Sequence, residues 1–225
     1  MEKMISIDAR LIKCAKFLRG KKLCDIGTDH AYLPVYALQR GLSSSAIAAD
    51  INEGPLDSAK KTIIKYNLSE KIEARLSDGL AKINPDEADD IVIAGMGGEL
   101  ITRILSDAPW TKAKEKMLIL QPMTFEHSLR AFLYENDFEI VSEEAVTAGG
   151  KVYTVICAQY IGEKATINEL YEHIGKIKGE TQEDKLYIEK IITRLTNKSK
   201  GLKDEELLEN EKIIKKLKEK LGENI

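Results

Sequence analysis

The chain has 225 residues, with 34 basic and 37 acidic side chains and a formal net charge of −3, a length that suits one full domain plus an appendage. Its 43% hydrophobic content can fill a core, yet no run approaches the ~18–20 apolar residues of a membrane span, and the N-terminus lacks a signal-peptide layout. Three cysteines (Cys14, Cys24 and Cys157) without a CxxC pair exclude a disulfide framework and a cysteine zinc site, so a cytoplasmic protein with no membrane partner and no metal is expected.

Taken in chain order, residues 1–22 hold seven basic and two acidic side chains, a local excess hidden by the total. A helix from about Ser6 as N-cap to Leu18 puts Ile7, Leu11, Cys14, Ala15 and Leu18 on one face. Arg10, Lys13, Lys16 and Arg19 fall on the opposite arc, which fits either a solvated face or a phosphate-binding patch. Strand-like runs follow at 22–26, 46–50, 72–76, 90–94 and 117–120. Helical runs separate them at 32–39, at 55–66 with Pro55 in the first helical position, and from the Gly95-Met96-Gly97-Gly98 run through Leu105. Such alternation predicts a parallel, doubly wound α/β sheet. A helix at 125–136 and then alternating runs at 139–146 and 151–160, around Ala148-Gly149-Gly150, predict a closing antiparallel hairpin. Five parallel strands finished by an antiparallel pair are the layout of a Rossmann-like class I methyltransferase sheet rather than of a dinucleotide-binding sheet.

Residues 163–225 differ in kind. They carry 28 charged side chains, 14 of each sign, and no Pro, Trp or Phe. Leu186, Ile188, Ile191, Ile192 and Leu195 keep helical spacing, and Leu207, Ile214 and Leu221 step by seven as a coiled-coil seam, with Leu217 between them. Ser199-Lys200-Gly201 is a helix stop and Asp204 a start. The expectation is a short helix near 166–177 and then a coiled-coil hairpin, dividing the chain at Gly162 into domains 1–162 and 163–225. Lys212, Lys215, Lys216, Lys218 and Lys220 cluster on the last helix, as a basic arm, a solvated surface or an oligomer seam. The oligomeric state stays open, with a monomer as the working expectation.

Ligands of doubly wound sheets sit beyond the carboxyl ends of the strands. After the first strand stands Asp25-Ile26-Gly27-Thr28-Asp29-His30, where Gly27 permits a tight turn but Asp29 occupies the place of the second glycine of GxGxxG. Carboxylates at 25 and 29 would repel a pyrophosphate and welcome a cationic sulfonium or ammonium, which favours S-adenosylmethionine over NAD. Asp50, after the second strand, is placed to accept from ribose hydroxyls. Asp78-Gly79 after the third can receive an adenine ring, and Gly95 through Gly98 after the fourth exposes backbone. A plain structural turn remains an alternative at each.

The runs DIGTDHAYLP, DGLAKI, IAGMGGELI and LILQP, in this order and spacing, resemble the TrmK family of bacterial tRNA (adenine-22-N1) methyltransferases over roughly residues 5–160. The helical tail matches that family in type. The resemblance implies that Arg10, Asp25, Gly27 and Thr28 line the methionine side of S-adenosylmethionine, that Asp50 holds its ribose, and that Asp78 and Gly79 hold its adenine. It implies that Gly95, Met96, Gly97 and Gly98 form the floor beside the transferable methyl, and that Asp29, His30 and Tyr32 face the tRNA substrate. Thr28 stands where Ser is commoner, and Met123 where the family usually shows Asn, which removes a polar contact to the target base.

Adenine N1 carries an in-plane lone pair, so its methylation needs no general base before bond formation; it needs N1 exposed, aligned and stabilised as positive charge develops. Asp29 is the expected catalytic carboxylate, with cofactor binding or loop bracing as the competing role. Tyr32 can stack on the base or merely pack, and His30 can shuttle a proton or be structural. Gln121 and Pro122 can shape a substrate wall or end their strand, while His127 and His173 receive no role. With Arg10 beside the pocket, Lys13, Lys16 and Arg19 become candidates for tRNA phosphate contacts. Methylation of rRNA, protein or a small molecule, an NAD(P)-dependent oxidoreductase, and a non-catalytic tRNA-binding protein remain the alternatives.

Overall fold

The computed structural model describes residues 4–222; Glu2 and Lys3 of the basic N-terminal segment, and the outer ends of both expected domains, lie outside them. Seven strands, β1 (Lys22–Ile26), β2 (Ser45–Asp50), β3 (Ile72–Leu76), β4 (Asp90–Gly97), β5 (Met117–Thr124), β6 (Phe138–Ala148) and β7 (Lys151–Tyr160), form one sheet in the order β3-β2-β1-β4-β5-β7-β6. The pairings among β1 to β5 are parallel, and β7 runs antiparallel to both of its neighbours. The helices are α1 (Ala9–Ala15), α2 (Tyr32–Gln39), α3 (Glu53–Lys65), α4 (Gly98–Ser106), α5 (Glu126–Glu135), α6 (Tyr171–Ile174), α7 (Gln182–Ser199) and α8 (Asp204–Lys220). This is the methyltransferase-type sheet that the sequence predicts.

β1 and β2 are almost continuously buried because helices cover both faces, whereas the edge strand β6 alternates buried and partly exposed positions. Two apolar clusters, one on each face, make the core: Cys24, Ile91, Ile93, Leu118 and Leu120 belong to one, and Leu23, Val92, Ile119 and Val155 to the other. Strand order reverses between β1 and β4, so their carboxyl ends open the crevice in which ligands of such sheets bind.

Several boundaries differ from expectation, each for a local reason. Asp8, not Ser6, caps α1, its carboxylate accepting from the Arg10 and Leu11 N–H groups. α3 starts two residues before Pro55, which fits within a first turn whose N–H groups have no intrahelical acceptor. β4 continues through Gly97 and β5 through Thr124, so neither Ala94 nor Gln121-Pro122 ends a strand; bulges on either side of Met96 accommodate Pro122 without a ladder donor. α5 begins one residue after Phe125, which is left-handed at φ 55°. The hairpin turns on Gly149 and Gly150, both at positive φ.

In the tail, α6 is one turn long rather than spanning 166–177. Tyr187, Ile188, Ile191 and Leu195 of α7 pack with Ile213 and Leu217 of α8 and with Ala145 of β6. The most buried row of α8 is Asn210, Ile213 and Leu217; the anticipated seam of Leu207, Ile214 and Leu221 flanks it half-buried, and Leu186 is exposed. Asn210 donates to the Leu195 carbonyl at 3.0 Å and to Ser199 Oγ at 2.7 Å, a buried polar contact that fixes the register of the hairpin. The tail is also locked to the sheet. Arg130 of α5, fully buried, donates to Glu143 of β6 at 2.6 Å, to Tyr187 Oη at 2.7 Å and to the carbonyls of Glu172 and His173. Among the described residues no helix is long and apolar enough to cross a membrane.

Candidate active site

Two adjoining cavities open beyond the strand ends. One, of about 340 Å³, is lined by Asp8, Arg10, Asp25, Thr28, Asp29 and His30, together with Tyr32 and Leu33. The other, of about 270 Å³, is lined by Asp50, Ser77, Asp78, Gly79 and Met96, with Leu100 and Arg103 at its far side. Gly27, Ala94 and Gly95 line both and mark where they meet.

The shape of this crevice depends on backbone that lacks a Cβ. Gly27 sits at φ 74°, and a side chain there would collide with the Met96 methyl that crosses it; Gly79, at φ 52°, is backed by Ile104. Gly97 and Gly98 do something else. They line neither cavity; Gly98 lets the α4 start approach the Phe125 carbonyl, and Gly97 lies against Thr124 Oγ1. The expected floor therefore reduces to Gly95 and Met96.

Asp25 is the electrostatic centre. It is 5% exposed and its carboxylate accepts from Thr28 Oγ1 at 2.7 Å. Burial pushes its carboxyl up to about 6, against the Thr28 hydrogen bond, and Asp50 nearby adds to the rise. Burial, with the Asp25 charge adding to it, raises the Cys14 thiol well above its ordinary value, so that group stays neutral. Asp50 accepts from the Asn52 N–H at 2.9 Å and from the Asp29 N–H at 3.4 Å. Asp78 lies at the crevice edge, 3.6 Å from Arg103.

Arg10 reaches in from α1. One arm pairs with Asp8 at 2.7 Å; the other donates to Gln121 Oε1 at 3.2 Å and touches Met123 Sδ at 3.1 Å. Gln121 is fully buried, and the same oxygen accepts from the Gly95 N–H at 3.2 Å while its amide nitrogen donates to the Pro122 carbonyl. With Pro122 buried as well, neither residue offers a substrate wall. Gln121 instead positions Arg10 and the Gly95 backbone, a role that the sequence did not signal.

The loop from Gly27 to Ala31 winds through three positive-φ residues: Gly27, Asp29 at 50° and Ala31 at 55°. For Ala31 this conformation is strained, and such strain gathers at functional sites. It turns the Asp29 side chain outward, 68% exposed, with its carboxylate 3.5 Å from His30 Nε2. His30 stacks on Tyr32 with centroids 4.9 Å apart. Tyr32 is 41% exposed, so it is a rim residue rather than a packing one.

The basic arc of α1 and the residues just after it is largely neutralised. The helix stops at Ala15, short of the expected Leu18, and Arg19 beyond it donates from Nε to the buried Asp90 at 2.6 Å and from Nη2 to the carbonyls of Asp89 and Glu115, so it latches the segment after α1 to the sheet rather than contacting phosphate. Lys13 and Lys16 share Glu144 of β6 at 2.8 and 2.7 Å. On α8, Lys212 and Lys216 both face Glu169.

The cradle fits a nucleoside with a cationic end group: glycine backbone for close approach, Asp50 for a diol, and at Asp25 a buried carboxylate without an ion pair among the described residues. A methyltransferase-domain family model matches residues 7–156. A Bacillus subtilis protein named tRNA (adenine(22)-N(1))-methyltransferase is 39% identical over 156 residues, covering 69% of this chain and 66%, just under two thirds, of that relative. The crystal structure of the B. subtilis m1A22 tRNA methyltransferase TrmK is similar at 29% identity and a TM-score of 0.79, covering 97% of each chain. A Streptococcus pneumoniae structure, a candidate tRNA (m1A22) methyltransferase in complex with S-adenosyl-L-methionine, matches at 35% identity and a TM-score of 0.81, over 97% of this chain and 100% of that one. With the family model spanning two thirds of its length and relatives of this identity matching along it, the chain belongs to the TrmK family of S-adenosylmethionine-dependent methyltransferases.

Proposed function

We infer that this chain methylates N1 of adenine 22 in tRNA, as the names of its relatives describe for them. The observation that carries the reading is the crevice itself, a buried carboxylate at Asp25 joined to an open rim of Asp29, His30 and Tyr32. S-adenosylmethionine, when bound, supplies the electrophilic methyl group. Asp25 and Thr28 would hold its ammonium end, Asp50 its ribose and the Asp78-Gly79 turn its adenine, with Gly95 and Met96 beside its sulfonium.

The work left to the rim is to receive an everted adenine and to offset the charge of the methylated ring. Asp29 suits this: its carboxylate is largely exposed on the rim of the cavity that Asp25 and Thr28 also line, and its backbone is tied to Asp50. It can accept from the adenine 6-amino group and face the cationic product. The stacked His30–Tyr32 pair presents an aromatic surface for the base. Residues 1–162 act in this reading as the methyltransferase domain and 163–225 as an accessory helical arm, in the cytosol where tRNA resides.

The test is mass spectrometry of nucleosides from unmodified tRNA incubated with the protein and S-adenosylmethionine, with the modified position mapped by reverse-transcription arrest. 1-Methyladenosine at position 22, lost when that base is changed, is expected; its absence, or a methyl on another base, refutes the assignment. For Asp29→Ala, turnover should fall about 10²-fold or more with cofactor affinity retained. Retained turnover removes the catalytic role, and lost cofactor affinity moves Asp29 into the cradle.

A further inference from the structure

The seam between α5 and α7, next to the crevice, holds one ordinary ion pair, Lys190 with Glu126 at 2.8 Å, and beyond it a guanidinium that no carboxylate pairs among the described residues. Of the seven arginines, five form ion pairs with carboxylates and Arg40 stacks on Tyr36. Arg194 of α7 is the exception: among the described residues it meets His127 of α5, Nη1 to Nδ1 at 3.3 Å. Lys198 lies one turn further along the same helix face. His173, between these elements, has a buried Nδ1 without a hydrogen-bond partner among the described residues.

An imidazole holds a guanidinium in a different way from a carboxylate. It accepts one N–H and fixes the orientation while leaving the positive charge uncancelled. The environment keeps both rings neutral: burial lowers the pKa of His127, with Arg194 and Arg130 adding to the effect and Glu126 and Glu172 opposing it. Burial also takes His173 down to about 4, assisted by Arg194, Arg130, His127 and Lys198. An oriented cation without a counter-ion is what an anion site presents before its ligand arrives.

The seam adjoins the crevice. Phe125, which opens α5, is two residues beyond Met123, and Met123 touches the cavity-lining Arg10. Arg10 and Lys190 of α7 lie over the same ring, Tyr153, at 5.7 and 6.0 Å. Phe125 is 47% exposed and held at φ 55°, a costly conformation for an aromatic residue, with its carbonyl packed on Gly98. Its ring stands 6.2 Å from His127.

We propose that this seam is a tRNA-backbone subsite, in which Arg194 and Lys198 take phosphate and Phe125 stacks on a base flanking the target adenosine. The proposal rests on tRNA being the substrate and adds the surface that carries the strand away from the crevice. An aromatic platform followed by free cations is the usual composition of a single-strand path.

The test uses the full chain, titrated with unmodified tRNA at several salt concentrations, beside a calorimetric titration with S-adenosylmethionine. The double variant Arg194→Glu/Lys198→Glu should weaken tRNA binding about tenfold or more and flatten the salt slope by about one to two units, with cofactor affinity unchanged. Arg194→Gln, which keeps the packing without reversing charge, should show a smaller loss of the same kind. Phe125→Ala should raise the KM for tRNA about tenfold and leave kcat within a few-fold. Unchanged affinity and salt slope in the double variant overturn the subsite, as does an equal loss from Lys65→Glu on the remote α3. Failure of the wild-type chain to bind tRNA overturns the proposed function together with the subsite, whereas wild-type binding with unaffected variants overturns the subsite alone.

Discussion

Asp25 and Glu143 are both buried carboxylates, and their surroundings are opposite. Glu143 accepts from Arg130 at 2.6 Å, from Thr154 Oγ1 at 2.7 Å and from the Lys176 N–H at 3.1 Å, so its charge and lone pairs are satisfied. Asp25 accepts from Thr28 and, among the described residues, forms no ion pair, and burial lifts its carboxyl to about 6. A buried charge that is fully paired serves the fold, here by fastening α6 and α7 to the sheet. One left unpaired beside a cavity marks where a cationic ligand completes the structure.

The contrast is broken most forcefully at Glu143. Glu143→Ala leaves Arg130 buried without its counter-ion and should cost about 3–5 kcal/mol in a denaturant titration, with separation of the tail from the sheet. The double variant Arg130→Met/Glu143→Leu should recover much of that loss, because neither charge is then stranded. A Glu143→Ala protein of wild-type stability would mean that the network does not hold the tail.

Asp25→Asn should act in the reverse sense. It removes an uncompensated buried charge, so the ligand-free protein should gain on the order of 1–3 kcal/mol at neutral pH, while S-adenosylmethionine affinity falls about 10–100-fold through loss of a charged hydrogen bond. Paired melting and calorimetric measurements check both. Loss of stability comparable to that of Glu143→Ala would erase the distinction between the two carboxylates.

The same difference should appear in pH dependence, with a smaller effect per unit. The folded Asp25 carboxyl titrates near 6 and its unfolded counterpart near 3.8, so the folded state binds the proton more readily between those values. Its burial cost is fully felt above pH 6 and relieved as pH falls toward 4, so this group makes the ligand-free protein more stable on acidification. Binding of a cation needs the carboxylate, so cofactor affinity should fall up to tenfold per pH unit below about 6. Calorimetry from pH 5 to 8 tests this, and Asp25→Asn should remove the bend.

Much of the crevice is legible in the chain because the determinants are local. Gly27 and Asp50 close the largely apolar runs 23–26 and 46–49, and Asp78-Gly79 closes the alternating run 72–76, so each reads as a strand end. What escapes is set by partners distant in sequence. Arg19 looks like a free cation until Asp90, 71 residues on, is placed beside it. Gln121 reads as a strand terminus because the glycine run opposite it masks the bulged continuation of β4. His127 and Arg194 are 67 residues apart and meet because the tail docks on α5. The available clue was the spacing of Lys190, Arg194 and Lys198, four residues apart on one helix face.

A third carboxylate sharpens the comparison at its weakest end. Glu144, next to Glu143 but pointing to the opposite face of β6, is partly exposed and shared by Lys13 and Lys16. Partial burial raises its pKa, but the two ammonium groups outweigh that and hold it below the ordinary glutamate value. Its contribution is therefore present above about pH 4.5 and lost as pH falls through the lowered value, and as an exposed pair it is worth no more than about 1 kcal/mol. Glu144→Gln should change stability by less than that while releasing two lysines beside the crevice. If tRNA phosphates pass over α1, their affinity should rise a few-fold and the salt slope should steepen; unchanged tRNA binding would confine the backbone path to the α5–α7 seam and leave the basic arc of α1 a structural feature of the fold.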